Sequence, residues 1–250
     1  MLQIKNLTKI YEGGVQALTD VSFEVPKGQF LAVIGLSGSG KSTLLRCINR
    51  LIEPTSGQVV WNGIDVTAAS PEELRRIRRK IGMVFQNFNL VHRSKVMTNV
   101  LAGRLGYNSQ AWSLINRFSR QDKDKAMKQL ARVGIEDKGG YRADELSGGQ
   151  QQRVGIARAM MQDPDMILAD EPVASLDPVL AHSIMKYLEQ INKEDGVTVI
   201  CSLHFLDLVN KYADRVVALN EGRLVFEGLP REINDKKFKE IYGRDAERVG

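Results

Sequence analysis

The run Gly35-Leu36-Ser37-Gly38-Ser39-Gly40-Lys41-Ser42 fits the spacing G-x-x-x-x-G-K-[ST], with an apolar stretch before it and a helical stretch after it. Glycines let a backbone curl until its N–H groups converge on one point, which is what a phosphate needs. The following helix adds the positive end of its dipole there. Lysine at the position of Lys41 reaches the β- and γ-phosphates of a nucleotide, and a hydroxyl at Ser42 ligates Mg²⁺. Thr43 is placed to donate to the α-phosphate.

Further along, "MILADE" ends a buried run on two carboxylates, Asp170 and Glu171. Asp170 can hold Mg²⁺ through water. A carboxylate one residue later projects near the γ-phosphate, where it can orient or deprotonate an attacking water. His204 closes "VTVICSLH", a run parallel to the one carrying Asp170, and ligands of parallel sheets gather at the carboxyl ends of strands. His204 is therefore expected to contact the γ-phosphate or the water. Gln86, in "MVFQN", ends a third run; its amide could ligate Mg²⁺ or the water and sense loss of the γ-phosphate. Tyr11, just before a glycine turn, is placed to stack on adenine. A second serine–glycine turn, "ELSGGQQQRVGIARAM" from Glu145 to Met160, also opens directly into a helical pattern. It has the layout of another anion-binding helix start, with Ser147 as its cap.

These groups need elements to hold them. "LQIKNLTKIY", "VSFEV" and "QVVWNG" alternate apolar and polar residues, as short antiparallel strands do. "FLAVIG" is continuously apolar, as a strand buried on both faces would be, and "KSTLLRCINRLI" reads as the helix after the glycine turn. From about Gln86 to Met161 strand signals fade. "DKDKAMKQLARVG" puts Ala126, Leu130 and Val133 on one helical stripe; "QQRVGIARAMM" puts Val154, Ala157 and Met161 on another. Strand runs then return around "DPVLAHSIMKYLEQINK", whose Leu180, Ile184, Leu188 and Ile191 share a face, and "RVVALNEGRLVFEG" reads as a hairpin. The expected fold class is α/β: a parallel-sheet core, an N-terminal antiparallel part and an inserted helical part.

Bulk properties narrow the class. No apolar run approaches the ~18 residues of a membrane span, and the N-terminus lacks the apolar core of a signal peptide; both place the protein in the cytosol. Cys47 and Cys201 stand alone, against a disulfide or zinc framework. The net charge is +5, and the densest basic run is "RRIRRK", Arg75 to Lys80. It reads either as a nucleic-acid or membrane-surface patch or as a solvated helix face started by Ser70, Pro71 and Glu73. The absence of interleaved aromatics favours the solvated face and no nucleic-acid partner.

Taken together, Tyr11, the Gly35–Ser42 loop, Gln86, the "LSGGQ" of Leu146 to Gln150, Asp170-Glu171, the "SLD" of Ser175 to Asp177, and His204 resemble an ATP-binding-cassette ATPase, in that family's order and over roughly Leu2 to Gly228. The resemblance implies a RecA-like P-loop core. A single cassette domain would span 2–247, with the nucleotide-binding core and β part in 1–86 and 161–250 and the helical part in 87–160. It implies ATP and Mg²⁺ as cofactors and a head-to-tail dimer with a second copy, in which Ser147, Gly148, Gly149 and Gln150, with Asp177, close over the ATP of the partner. The two serine–glycine turns then become two halves of one site.

A finer resemblance, to ATPase subunits of phosphonate-type importers, rests on Asn99 to Ala126, Tyr141 to Pro164 and "ILADEPVASLDP" (Ile167 to Pro178). Val173-Ala174-Ser175 departs from the commoner "DEPTSALD" form and follows the phosphonate-type one; the "CSL" before His204 fits neither form strongly. This implies import of phosphonate, phosphite or a phosphate ester, with integral membrane permease subunits and an extracytoplasmic solute-binding protein as partners. The chain would lie peripherally on the cytoplasmic face of the inner membrane. "NFNLVHRSKVMTNV", Asn87 to Val100, is expected to form the permease groove within the helical insert, though plain helix packing would explain it as well. Alternatives are an importer ATPase for amino acids or metal chelates, a non-transport cassette of translation or DNA repair, and a P-loop kinase or switch.

Overall fold

A computed structural model describes residues 1–107 and 118–243. Six strands form the central sheet in the order β10-β9-β3-β8-β7-β6. They are β3 (Phe30–Ile34), β6 (Ile81–Val84), β7 (Met166–Ala169), β8 (Thr198–Ser202), β9 (Arg215–Asn220) and β10 (Arg223–Gly228). Strands β6, β7, β8, β3 and β9 are mutually parallel, and only the β9–β10 hairpin is antiparallel. β3 lies between β8 and β9 and is buried along its whole length, which is why its sequence does not alternate.

The two faces of this sheet build two cores. Phe30, Ala32, Ile34, Ile167, Ala169, Val199 and Cys201 pack against the helical side. Leu31, Val33, Met166, Leu168, Ile200 and Val217 pack against the other. That second core is closed by an antiparallel sheet of order β2-β1-β4-β5, with β1 Leu2–Ile10, β2 Gln16–Val25, β4 Ser56–Trp61 and β5 Ile64–Asp65. Helix α1 (Lys41–Ile48) lies in it through Leu44, Leu45 and Ile48. Helix α1 is shorter than the run "KSTLLRCINRLI" suggests: Asn49 caps it, and Arg50 turns the chain at φ 55°.

Helix α2 (Pro71–Arg79) starts where Ser70 and Glu73 form a reciprocal capping box with Pro71 behind them. The basic run is not simply a solvated face. Arg75 and Arg76 are exposed, but Arg78 donates from Nε to the Asn49 carbonyl at 3.0 Å and from Nη2 to that of Arg50 at 2.6 Å. It thereby satisfies carbonyls at the end of α1.

The helical side holds α3 (Val96–Leu101), α4 (Arg120–Arg132), α5 (Gly148–Met160) and α6 (Pro178–Asp195). α7 (Leu206–Tyr212) and α8 (Asp235–Tyr242) follow. Ala126, Leu130, Val133, Val154, Ala157 and Met161 are buried in one core, as their spacing predicts. Between 87 and 160, the one β pairing among the described residues is an isolated bridge, Lys95 to Arg142. In the segment Asn87 to Val100 a loop comes first, and the helix begins at Val96. Phe88 and Asn89 take left-handed φ values of 59° and 48°. The amide of buried Asn99 holds the rest, accepting from Val91 N–H at 2.8 Å and donating to Val91 and Lys95 carbonyls. Among the described residues no helix is long and apolar enough to cross a membrane.

Candidate functional site

The loop between β3 and α1 is shaped by its glycines. A Cβ on Gly35 (φ 146°) would stand 2.1 Å from the Leu219 carbonyl oxygen, and one on Gly40 (φ 102°) 2.4 Å from that of Ala17. Neither space nor backbone angle admits another residue there. Leu36 and Ser37 are exposed on the loop's outer edge, followed by Gly38 at φ 78° and buried Ser39.

Lys41 is 3% exposed. Its ammonium donates to the carbonyls of Gly35 at 3.0 Å and Leu36 at 2.9 Å, and lies 3.8 Å from Glu171 Oε1. Burial pushes the Lys41 pKa down, against the pull of Glu171 and Asp170. The charge is thus held at the loop's mouth by carbonyl dipoles and an incomplete ion pair, an arrangement that added phosphate oxygens would complete.

One residue on, Ser42 Oγ donates to Asp170 Oδ1 at 2.7 Å. Asp170 is 1% exposed just beyond β7, and its other oxygen accepts from Arg46 Nη2 at 3.1 Å. The buried Ser202 hydroxyl, at the end of β8, lies 3.3 Å from Asp170 Oδ1 and accepts the Glu171 N–H at 2.8 Å. Glu171 has φ 47°, an unusual angle for a non-glycine residue. That backbone turn projects its carboxylate back over the loop. There its Oε1 meets Lys41 on one side and His204 Nε2, at 2.6 Å, on the other.

The sequence reading therefore brings Lys41, Ser42, Asp170, Glu171 and His204 into one cluster at the carboxyl ends of β3, β7 and β8. Tyr11 arrives from the antiparallel sheet, its hydroxyl 3.2 Å from Thr43 Oγ1. Gln86 lies exposed two residues past β6, whose Val84 is in register with Ala169. It leaves the sheet at the level of Asp170 and Glu171. Two residues were missed. Arg46 sits one helical turn after Ser42, a spacing that puts both on one face. Ser202 is the end of a parallel strand, a position that in itself points to the site.

The second turn is built otherwise. Ser147 is exposed, and its Oγ accepts from Gln150 N–H at 3.4 Å while Gln150 Oε1 accepts from Ser147 N–H at 3.0 Å. This is a capping box for α5. Gly148 lies beside Leu176 and Phe88, and a Cβ on Gly149 would press on Leu180 Cδ1 at 3.1 Å. Asp177 caps α6, accepting from Leu180 N–H at 3.0 Å. None of these bonds reaches the Gly35–Ser42 loop: the polar groups of the turn serve their own helix, and its surface faces outward.

A glycine loop on a parallel strand, a buried lysine, a hydroxyl bonded to a strand-end aspartate and a carboxylate turned over the loop define a P-loop nucleoside triphosphatase. The sequence pattern described as ABC transporter matches residues 18–174, and the chain belongs to that family. It is 54% identical to the "Phosphonates import ATP-binding protein PhnC" of Bdellovibrio bacteriovorus, over 100% of this chain and 96% of the relative. It is 49% identical to "PhnC 3" of Halalkalibacterium halodurans, over 98% and 95%. Among solved structures it resembles the dimeric ATP-binding cassette MJ0796 bound to ADP and Pi after hydrolysis. The TM-score is 0.83 and the identity 35%, over 92% of this chain and 99% of that one. A nucleotide-free ATP-binding cassette of an ABC transporter aligns at TM-score 0.81 and 32% identity, over 96% and 94%.

Proposed function

We propose that this chain is the ATP-hydrolysing subunit of an importer for phosphonate or a related phosphorus oxyanion such as phosphite or a phosphate ester. One observation carries the solute class: about half of all residues, over 100% of the chain in one case, are shared with proteins named for phosphonate import. In this reading Lys41 and the amides of Gly35 to Ser42 hold the phosphates of ATP, Thr43 donates to the α-phosphate, and Tyr11 stacks on the base. Ser42 and Asp170 would hold Mg²⁺; their oxygens are 2.7 Å apart, and both are the hard donors that ion takes. The ion would neutralise charge on the β- and γ-phosphates. Glu171, held by His204, takes the proton of the attacking water, with Gln86 beside it.

Ser147, Gly148, Gly149, Gln150 and Asp177 serve the nucleotide of a second copy in a head-to-tail dimer. The exposure of Ser147 and Asp177, at the starts of α5 and α6, supports this. Residues 87–160 act as the helical unit that carries this turn, against a core formed by 1–86 and 161–250. Permease subunits dock on its exposed loop, where Val91, His92 and Arg93 stand outward, and an extracytoplasmic binding protein delivers the solute. The chain sits peripherally on the cytoplasmic face of the inner membrane. Part of the Asn99 to Ala126 stretch lies outside the described residues.

The test is ATP turnover by the complex reconstituted in vesicles with its permease and binding protein. Methylphosphonate or phosphite inside the binding-protein compartment should stimulate turnover at least fivefold. Amino acids and metal chelates should not, and the isolated subunit should respond to none of them. Stimulation by an amino acid or chelate alone would overturn the solute class and leave the ATPase assignment standing.

A further inference from the structure

Gln152 is completely buried in α5, and neither its Oε1 nor its Nε2 has a hydrogen-bond partner among the described residues. A buried primary amide with both ends unpaired is an exception among native side chains. Its neighbours are fixed by helix geometry. Gly148, Gln152, Gly155 and Ala159 follow one another at spacings of four, three and four and so form one stripe. A Cβ on Gly148 would stand 3.7 Å from Phe88 Cζ, and one on Gly155 4.0 Å from the Phe88 carbonyl oxygen. Ala159 Cβ lies 3.2 Å from where a Cβ on Gly82 would stand, in β6. The stripe therefore runs along β6 and the loop that leaves it, and Gln152 lies on this stripe between the two glycines that approach Phe88.

That loop is itself in an unfavourable state. Phe88 and Asn89 are consecutive non-glycine residues in the left-handed region, where a bulky aromatic is an outlier. Their carbonyls are gripped by one side chain of the same helix: Arg158 donates from Nη2 to Phe88 O at 2.9 Å and from Nη1 to Asn89 O at 2.6 Å. An unsatisfied amide and a strained turn thus belong to the same seam between α5 and this loop. Each supplies what the other lacks, since a loop that relaxes at Phe88 moves a peptide N–H and C=O, and the amide needs an acceptor and a donor.

We propose that Gln152 is a positioning residue for hydrolysis. When nucleotide is bound, the 86–89 loop leaves its left-handed turn and its backbone pairs with the Gln152 amide, which fixes Gln86 at the γ-phosphate end of the site. This rests on the reading of Gln86 as a group that works at the nucleotide. Arg158 holds the loop in the resting position, and the same helix carries Ser147 at its start, so the state of the loop is passed to the turn that faces the second copy.

The measurement is amide hydrogen exchange of the full-length chain across 86–90, with and without Mg²⁺ and a non-hydrolysable ATP analogue. Wild type should show at least fivefold slower exchange there when the analogue is bound, and Gln152→Met, which keeps shape but removes the amide, should show no change. Gln152→Met should also lose about tenfold in kcat with KM within twofold, while its thermal midpoint without nucleotide is equal to or above that of wild type. A kcat within twofold of wild type overturns the proposal, and so does a lower kcat with the exchange response intact. Should Gln152→Met not fold, the wild-type exchange decides alone. A wild-type chain that binds the analogue with no change at 86–90 overturns the proposal and leaves the ATPase reading in place. A chain that binds no nucleotide overturns both.

Discussion

The two serine–glycine turns, Gly35 to Ser42 and Ser147 to Gln150, each lead straight into a helix, yet their polar groups are spent differently. In the first, side chains from the ends of β7 and β8 and from α1 converge: Lys41 and His204 lie against Glu171, and Ser42 and Arg46 lie against Asp170. In the second, the serine and glutamine bond each other, and the surface outside is open. The first turn is a site assembled within one chain. The second is a well-formed helix start whose serine is exposed. A motif of similar composition therefore gives a cluster of converging side chains or an outward-facing surface, depending on what the topology places opposite it.

The largest effect should come from the carboxylate that only the first turn has. Glu171→Gln keeps the shape and removes the base, so kcat should fall by about 10³-fold. Nucleotide binding should persist, and an ATP-bound species of double mass should accumulate on size exclusion. Turnover near wild type would take Glu171 out of the chemistry and blur the distinction between the turns.

Next in size is a mixing experiment that separates the halves. Lys41→Ala should lose nucleotide affinity by about 100-fold, as a charge-assisted contact to phosphate is removed. Ser147→Arg should bind nucleotide normally yet hydrolyse at least 50-fold more slowly. A mixture of the two inactive variants contains one composite site with an intact loop and an intact outward turn, so it should regain measurable activity. Mixtures as inactive as their components would mean that the second turn does not serve a partner.

The smallest effect tests whether the capping residues near the second turn are purely structural. Asp177→Ala removes the cap of α6 and Ser70→Ala that of α2. Each should cost about 1 kcal/mol, or ~2–4 °C in thermal midpoint. Only Asp177→Ala should also slow turnover, by a few fold. Equal loss of stability with equal activity would confine Asp177 to its helix.

Much of this cluster could be read before the fold was known, because a glycine loop is a local object: its glycines, which set the backbone angles, and the lysine and hydroxyl beside them are adjacent in sequence. Asp170 and Glu171 were legible for the same reason, at the end of a continuously apolar strand. Arg46 and Ser202 were not, since their roles exist only once α1 and β8 are placed against β7. Nor was the loop from Asn87 to Lys95. The positive φ angles at Phe88 and Asn89 and the grip of Arg158 are tertiary facts that no periodicity encodes. Arg78 is the same lesson on the surface, a member of a charged run whose job is to bond the carbonyls of another helix.

The position of β3 has a consequence for how the protein is made. This strand carries the phosphate loop near the start of the chain, but its two neighbours, β8 and β9, span Thr198–Ser202 and Arg215–Asn220. A nascent chain that has emerged only as far as Asp195 holds every residue of the glycine loop and neither strand that would flank it. Five consecutive apolar residues, Phe30 to Ile34, are then without partners on either edge. Such long-range strand pairing is slow and leaves sticky intermediates. The glycine loop therefore gains its flanking strands only once the last third of the chain has threaded back beside its first.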